Sequence, residues 1–494
     1  MFFCVQTLYS VIRFFMPAKL QRRLTLPLFT FYGLGSILGA GVYALVGKVA
    51  GAAGFFTPVA FVVAAVVAVF TGFSYAELSA RYPKSGGESI YTIHAFGIPA
   101  LSTMVGLLGV FSAIVSVGVL TDAFVGYLQV FFHVTPWIAT LLTVLIATAI
   151  AVRGIRESAF AASVFTLIEI GGLLLILWVG RAGLASFPAH IGDFVPPLDG
   201  VVWSGILTGA FIAFYAYIGF EDMANVAEEV KNPHHTLPLG ILLAIAVSTL
   251  LYCAVATVAV LSLPAQELRT TDVPLALIYE RTTGSSPVII TFIGLFAIAN
   301  GILVQIILGS RILYGLSGRG WLPAFLHRVH PSTSTPLAAT LVVAAAGLLF
   351  ALWLPILRLA ELTSFTVLVI YAFVNAACMR VKLRDPHPEG VRTFPIVFPL
   401  LGFIIIASFL IYRVREAVTI PAPRFETVRM SVPQGDLVLD MRDPREVCLD
   451  LQQERAGMHR CTLEAAKASQ MEEECTDGMS IAGCFACEFT CPLL

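Results

Sequence analysis

Two long apolar segments of this chain are interrupted by glycines. The first is Gly33–Tyr43 (GLGSILGAGVY) and the second is Gly209–Glu221 (GAFIAFYAYIGFE). A helix in lipid must satisfy its own backbone hydrogen bonds, so broken backbone is tolerated only where protein or a water-filled cavity surrounds it. The two segments therefore predict two broken helices that face a protected interior.

The composition predicts an all-α polytopic membrane protein embedded in a lipid bilayer. Apolar residues make up 58% of the 494 residues and charged residues 12%, against roughly 25% charged in soluble domains. Apolar runs of about 20 residues, long enough to cross a bilayer, recur along the chain. The net charge of −1 and the scattered basic residues give no sign of a nucleic-acid partner. The predicted spans are residues 26–50, 55–79, 99–128, 136–152, 159–179, 203–227, 238–262, 286–310, 336–354, 359–379 and 395–412.

The chain divides into three parts by composition. Residues 1–25 form a cytoplasmic or interfacial segment, residues 26–412 the transmembrane core, and residues 413–494 a polar tail. Lysine and arginine are concentrated in the loops that lie on the same side of the membrane as the N-terminus. Because positively charged loops stay in the cytoplasm, the N-terminus is predicted to be cytoplasmic. The tail holds six of the nine cysteines. They could form three disulfides outside the cell, bind zinc inside it, or belong to an appendage without a role in the core.

The interrupted segments are the first and sixth spans. Gly-interrupted spans at corresponding places in two halves of a membrane protein are typical of the binding site of secondary transporters. The alternative is that the glycines only allow close helix packing, as small residues do at membrane helix interfaces.

The order of several motifs resembles one family over residues 26–412. The chain is similar to the amino acid–polyamine–organocation permeases, and most of all to the branch of cationic-amino-acid-transporter type. The motifs are residues 35–43 (GSILGAGVY), 75–78 (YAEL), 83–87 (PKSGG), 214–221 (FYAYIGFE), 228–233 (EEVKNP) and 310–314 (SRILY).

The resemblance implies a leucine-transporter-like fold with a five-plus-five inverted repeat, spans one to five and six to ten. It also implies substrate bound between the broken spans, and alternating access across the cell membrane. The family usually has twelve spans, whereas the polar tail here stands where the twelfth is expected. Eleven spans are predicted, with a twelfth possible.

An amino acid carries a carboxylate and an ammonium group, and the protein must replace the water around both. Unpaired N–H groups at a helix start favour the carboxylate, and small residues let it approach the backbone. Freed carbonyls of the sixth span would face the ammonium. The predicted substrate-binding residues are Ser36, Ile37, Gly39, Ala40, Gly41, Phe214, Tyr215, Ala216, Tyr217, Ile218 and Gly219.

Two acids within spans are the candidates for ion coupling. An acid at the bilayer centre costs roughly 2.5–3.5 kcal/mol, so Glu169 and Glu221 are expected to have a purpose. Many permeases that resemble this chain carry lysine at the position of Glu169, where it replaces a sodium ion, and that mechanism does not transfer to glutamate. Glu169 is either a proton-coupling site or an acid paired with a polar group such as Ser36 or Asn300. Glu221 has either a coupling role or a structural hydrogen bond.

The function predicted from sequence is amino acid transport, and Glu169 makes proton coupling one of the two hypotheses for its mechanism. Acids fall singly in separate spans without a catalytic constellation, so no enzyme activity, cofactor or metal is expected. Two alternatives remain, a transporter of polyamines or organic amines, and a sensor that binds an amino acid and signals through the tail. Glu77 and Arg81, spaced i,i+4, are interpreted as a surface ion pair.

Overall fold

The computed structural model describes most of the core. The described residues are 22, 24–84, 87–153, 159–330, 335–419, 428–432 and 435–439. The N-terminal segment up to residue 21 and the six cysteines of the tail lie outside them. Two compact units are present, Met1–Arg413 and Val414–Leu494.

The described residues form seventeen α-helices, numbered here in chain order, four short 3-10 segments and one antiparallel hairpin. The α-helices are α1 Leu26–Leu38, α2 Ala40–Ala53, α3 Thr57–Arg81, α4 Gly87–Phe96, α5 Pro99–Gln129, α6 Pro136–Arg153, α7 Ala159–Val179, α8 Arg181–His190, α9 Gly200–Phe214, α10 Asp222–Asn225, α11 Pro233–Ser262, α12 Ala265–Thr270, α13 Pro274–Thr283, α14 Val288–Gly318, α15 Leu337–Trp353, α16 Ile356–Arg384 and α17 Val397–Thr419. The 3-10 segments are Gly54–Phe56, Tyr215–Tyr217, Ala227–Glu229 and Ala324–His327. The hairpin pairs β1 Val428–Val432 with β2 Gly435–Leu439.

The prediction of an all-α polytopic membrane protein is confirmed. Eight helical stretches are long and apolar enough to cross a membrane, and Leu26–Leu38, Thr166–Val179 and Leu337–Trp353 are shorter apolar helices. Together they coincide with all eleven predicted spans. The first span is split into α1 and α2, and the sixth into α9 and α10.

Local sequence explains where several helices begin. Pro58, Pro99, Pro136 and Pro233 occupy first-turn positions, where the missing N–H costs nothing because it has no partner within the helix. The carboxylate of Asp199 caps α9, since its Oδ1 accepts hydrogen bonds from the backbone N–H groups of Val201 and Val202 at 2.7 and 3.1 Å.

Helix packing pairs elements that lie five spans apart. The second span, α3, packs on the seventh, α11, and the third, α5, packs on the eighth, α14. The contact of α1 with α7 has its counterpart in the contact of α9 with α16. This pattern is the one a five-plus-five repeat would produce, and the repeat itself stays a prediction.

Four loop helices were not predicted from the sequence: α4, α8, α12 and α13. Each has ten residues or fewer, so none carries the long apolar run that marks a span. Helices α12 and α13 pack against α2. They therefore cover the second half of the first broken span.

The prediction of a surface pair at Glu77 and Arg81 is wrong. The Glu77 side chain is 1% exposed and that of Arg81 3%. The Glu77 carboxylate accepts hydrogen bonds from Arg81 Nε at 3.0 Å and Nη2 at 2.8 Å, from Lys382 Nζ at 2.8 and 2.7 Å, and from the Phe394 backbone N–H at 2.9 Å. Lys382 lies 305 residues away, so sequence spacing could not reveal the cluster.

Candidate functional site

The first break lies at Gly39, between α1 and α2. Its backbone angles, φ −37° and ψ −135°, are not helical, and α2 starts without a side-chain cap. The first N–H groups of a helix have no partner within it. They carry the positive end of the helix dipole, which favours an anion.

The second break follows α9. The chain passes through the 3-10 segment Tyr215–Tyr217 and a turn before α10 begins at Asp222. Gly219 has a φ of +128°, and a Cβ added there would lie 2.3 Å from the Ser36 carbonyl oxygen. Only glycine fits this position, because both its backbone conformation and its surroundings exclude a side chain.

The two breaks contact each other. A Cβ on Gly41 would lie 2.7 Å from Ala216 Cα, so the backbones are as close as glycine allows. The Tyr252 hydroxyl, on α11, lies 2.6 Å from the Ile37 carbonyl oxygen and 2.8 Å from that of Ala216. One phenol thus serves freed carbonyls on both broken spans.

Close packing accounts for most of the glycines of the first span, and Gly39 is the exception. Added Cβ atoms on Gly33 and Gly35 would clash with Met223 and Thr166, as Gly41 would with Ala216. The nearest atom to an added Cβ on Gly39 is the Gly35 carbonyl oxygen, at 3.5 Å. Space therefore remains beside the backbone at the start of α2.

The structure brings the two predicted substrate-binding stretches together. Their residues differ in how far they are buried. Ile37, Phe214, Tyr215 and Tyr217 are buried, and the Tyr217 hydroxyl donates to the Phe61 carbonyl oxygen at 3.1 Å. Partly accessible positions are Ser36, Gly39 and Ile218. The backbone of Ala40 is described, whereas its side chain is not.

Glu221 stabilises the second break. Its Oε2 accepts the Gly219 N–H at 2.8 Å and the Tyr371 hydroxyl of α16 at 2.5 Å. The structural hydrogen bond anticipated for this acid is therefore present. Tyr371 is 150 residues away, and no sequence signal connected it to the site.

Glu169, on α7, is buried in a different way. Its side chain is 1% exposed, and neither carboxyl oxygen makes a hydrogen bond of ordinary geometry within the described residues. The Asn300 amide is a polar group within its reach. The Tyr43 hydroxyl of α2 donates to the backbone carbonyl oxygen of Glu169 at 2.8 Å. This bond ties the acid to the first broken span.

A cavity of about 530 Å³ lies beside the second half of the first span and the first half of the sixth. Ala44 and Ile212 are among its lining residues. It is lined by charged side chains of both signs, which sequence reasoning did not gather because they come from distant elements: Lys48, Asp122, Arg269, Asp272 and Glu361.

The described residues contain no group of three or more histidines, cysteines, aspartates or glutamates placed to hold a metal ion. The chemistry available at the breaks is therefore that of backbone dipoles, phenols and single carboxyl groups. Such groups can replace the water around a carboxylate and an ammonium group and can release both again. A site of this kind suits a small zwitterion.

The comparison with protein families agrees with this geometry. The family model described as amino acid permease matches residues 24–430. This chain belongs to the amino acid permease family. The permease is thus a multi-pass membrane protein of the amino acid–polyamine–organocation superfamily, and its family consists of transporters.

Relatives of this permease occur in bacteria, plants and a mammal. An uncharacterized transporter of Mycobacterium tuberculosis is 33% identical over 395 residues, covering 79% of this chain and 87% of the relative. The branched-chain amino acid permease BcaP of Bacillus subtilis is 26% identical over 420 residues, or 78% and 89% of the two chains. The vacuolar cationic amino acid transporter 4 of Arabidopsis thaliana is 28% identical over 400 residues, or 76% and 65%.

Proposed function

We propose that this permease carries amino acids across the membrane by alternating access, with the substrate bound where the two broken spans meet. The observation that carries the proposal is the contact between the breaks, at Gly41 with Ala216 and at Gly219 with Ser36. A ligand held there touches both halves of the core, so its binding energy can favour one arrangement of the halves over another.

The zwitterion would use both ends of the site. Its carboxylate would lie in the space beside Gly39, against the N–H groups that begin α2. Its ammonium would face the freed carbonyls at Ile37 and Ala216, which now share the Tyr252 hydroxyl. The unwound backbone thus supplies a donor end and an acceptor end.

The substrate side chain would meet mostly apolar groups. Ile37, Phe214, Tyr215 and Ile218 are the predicted wall of this pocket, and none of them carries charge. We therefore favour a neutral, apolar amino acid. A cationic amino acid is the second candidate, supported by the name of the relative from Arabidopsis thaliana.

Glu169 is the proposed proton-coupling site. A carboxylate that is removed from water, with only the Asn300 amide within reach and no hydrogen bond of ordinary geometry, is costly in its charged form, so a proton or another cation would neutralise it. The Tyr43 hydroxyl links its backbone to α2. Protonation could therefore be sensed at the first broken span.

The proposed location is the cell membrane, with the N-terminus in the cytoplasm. Arg81, Lys84, Arg153, Arg311 and Lys382 belong to the ends of spans that would face the cytoplasm in this orientation. An excess of lysine and arginine on that side is the usual pattern.

The test is uptake of labelled leucine, lysine and putrescine into proteoliposomes, first with an inward proton gradient and then with a sodium gradient. Leucine uptake that rises with the proton gradient and does not change with the sodium gradient supports the proposal. Uptake of putrescine alone would favour an amine transporter, and binding without flux would favour a sensor.

The site itself is tested by Gly219→Ala. The added methyl group collides with the Ser36 carbonyl oxygen, so we expect uptake to fall at least tenfold. Gly171→Ala on α7 is the matched control, because an added Cβ there has no atom within 4 Å. Equal uptake by the two variants, at equal yields of monodisperse protein, would contradict the assignment of the site.

A further inference from the structure

The charged cavity described above has two charged groups that the rest of the fold leaves available. Lys48 Nζ pairs with Asp272 Oδ1 at 3.2 Å, and Glu361 pairs with Arg413 Nη2 at 2.8 Å and with Arg358 Nη1 at 3.3 Å. Lys48 and Asp272 thus neutralise each other, and Glu361 is held between two arginines.

Arg269 is the first available group. Its aliphatic stem packs on α2, where a Cβ added to Gly51 would lie 2.5 Å from Arg269 Cγ. Its guanidinium makes no hydrogen bond or ion pair with other residues in the described ranges. A guanidinium offers two parallel N–H donors that match a carboxylate.

Asp122, on α5, is the second available group. Its Oδ2 accepts the Ile356 backbone N–H at 3.0 Å, which fixes the carboxylate at the start of α16. The other oxygen makes no hydrogen bond within the part of the chain that the structure describes. It can therefore accept from an ammonium group.

The cavity lies close to the contact between the two breaks. Among its lining residues, Ala44 follows Gly41 by three residues and Ile212 precedes Ala216 by four. Each distance is about one helical turn, or about 5 Å. The contact between Gly41 and Ala216 is therefore about one helical turn from the cavity lining.

We propose that this cavity is a second, outer binding site for the transported amino acid, where Arg269 binds the carboxylate and Asp122 the ammonium before the substrate passes to the breaks. The proposal rests on the proposed function, since it takes the amino acid as the substrate. Both charged ends of the zwitterion are recognised there, and the side chain is left free. The outer site thus selects the amino acid head group, and the inner pocket selects the side chain.

The experiment is uptake kinetics in proteoliposomes for the wild type, Arg269→Gln, Asp122→Asn and the conservative Arg269→Lys. Asn keeps an oxygen for the Ile356 N–H, so Asp122→Asn preserves the start of α16. We expect KM to rise roughly tenfold in Arg269→Gln and in Asp122→Asn, because each variant loses one charge-assisted hydrogen bond to the substrate. The value of kcat should change little. Arg269→Lys keeps the charge without the paired donors, so it should recover part of the affinity.

The sharpest readout is inhibition by each half of the substrate. For leucine uptake the halves are isoamylamine and 4-methylpentanoate. Asp122→Asn should weaken inhibition by the amine alone, and Arg269→Gln inhibition by the carboxylate alone. Arg281→Gln is the matched control, since Arg281 pairs with Glu267 and does not line the cavity.

The outcomes separate the two proposals. Wild-type protein that transports, with variants whose KM and inhibition are unchanged, would overturn the outer site and leave the permease function standing. A fall in kcat at constant KM would also overturn it, because that result indicates a structural or gating role. Wild-type protein that takes up no amino acid would contradict the proposed function itself.

Discussion

Glu77 and Glu169 are both 1% exposed, and they are held in opposite ways. Glu77 accepts five hydrogen bonds, from Arg81, Lys382 and the Phe394 backbone. Glu169 accepts none of ordinary geometry within the described residues. Burial alone therefore does not tell what an acid in a membrane core does. The number of donors around it separates a permanent anion that supports the fold from a group whose charge can change.

Two further acids lie between these extremes. Glu221 has two donors, the Gly219 N–H and the Tyr371 hydroxyl. Glu88, in the loop helix α4, accepts the Tyr75 hydroxyl at 2.8 Å. If donor number decides the role, the size of the stability change on altering each acid or its donors should fall in the order Glu77, Glu221, Glu88 and Glu169.

The largest effect on stability is expected for Glu77→Gln. The change leaves Lys382 buried without a counter-charge and Arg81 with only the longer contact to Asp385, at 3.5 Å, and breaking a buried pair typically costs about 3–5 kcal/mol. Thermal unfolding of the detergent-solubilised protein should show a large drop in Tm. Glu267→Gln is the control, because the Glu267 pair with Arg281 is exposed and should contribute about 1 kcal/mol or less. Equal Tm values for the two variants would contradict the prediction that Glu77 has the largest effect on stability.

A smaller loss is expected for Tyr371→Phe. It removes one of the two donors to Glu221, a charge-assisted bond of about 1.5–3 kcal/mol. Since this bond holds the second break, uptake should fall together with Tm. Tyr412→Phe, which removes the hydroxyl contact with Ser204, serves as the comparison. A Tm effect in Tyr371→Phe no larger than in Tyr412→Phe would show that Glu221 does not depend on its donor.

The third prediction concerns pH and Glu88→Gln. Removal from water raises the pKa of the Glu88 carboxyl above its usual value, against a lowering by the Tyr75 hydroxyl. The folded protein then holds this proton more tightly than the unfolded chain, so stability falls as the pH rises above the ordinary glutamate pKa of about 4.3. The variant should be at least as stable as the wild type at neutral pH, and the difference should shrink toward pH 4. Parallel Tm curves between pH 4 and 8 would contradict this.

The smallest effect on stability is expected for Glu169→Gln. The amide has nearly the shape of a protonated carboxyl group and breaks no hydrogen bond of the described residues, so Tm should change little. Stimulation of uptake by an inward proton gradient should be lost, because the amide cannot release a proton. A variant whose uptake keeps the pH dependence of the wild type would end the coupling proposal. A large drop in Tm would instead place Glu169 with Glu77.

The local features of the site could be predicted from sequence, and the long-range ones could not. Glycines in an apolar run signal a break because of what lipid demands of backbone, and this located Gly39 and Gly219. The partners of these breaks, Tyr252 and Tyr371, come from helices far along the chain and carry no local signal. The same holds for Lys382, without which Glu77 and Arg81 read as an ordinary helix-surface pair.

The hydroxyl of Tyr252 is a single proton placed between two carbonyl acceptors, at Ile37 and Ala216. At any instant this proton can make a full hydrogen bond to only one of them, so the other carbonyl oxygen can accept from a further donor. A positively charged group that arrives at either carbonyl frees the phenol to serve the other fully. The two carbonyls together can accept one more donor than Tyr252 supplies, so an amine can bind at one broken span while the phenol donates at the other.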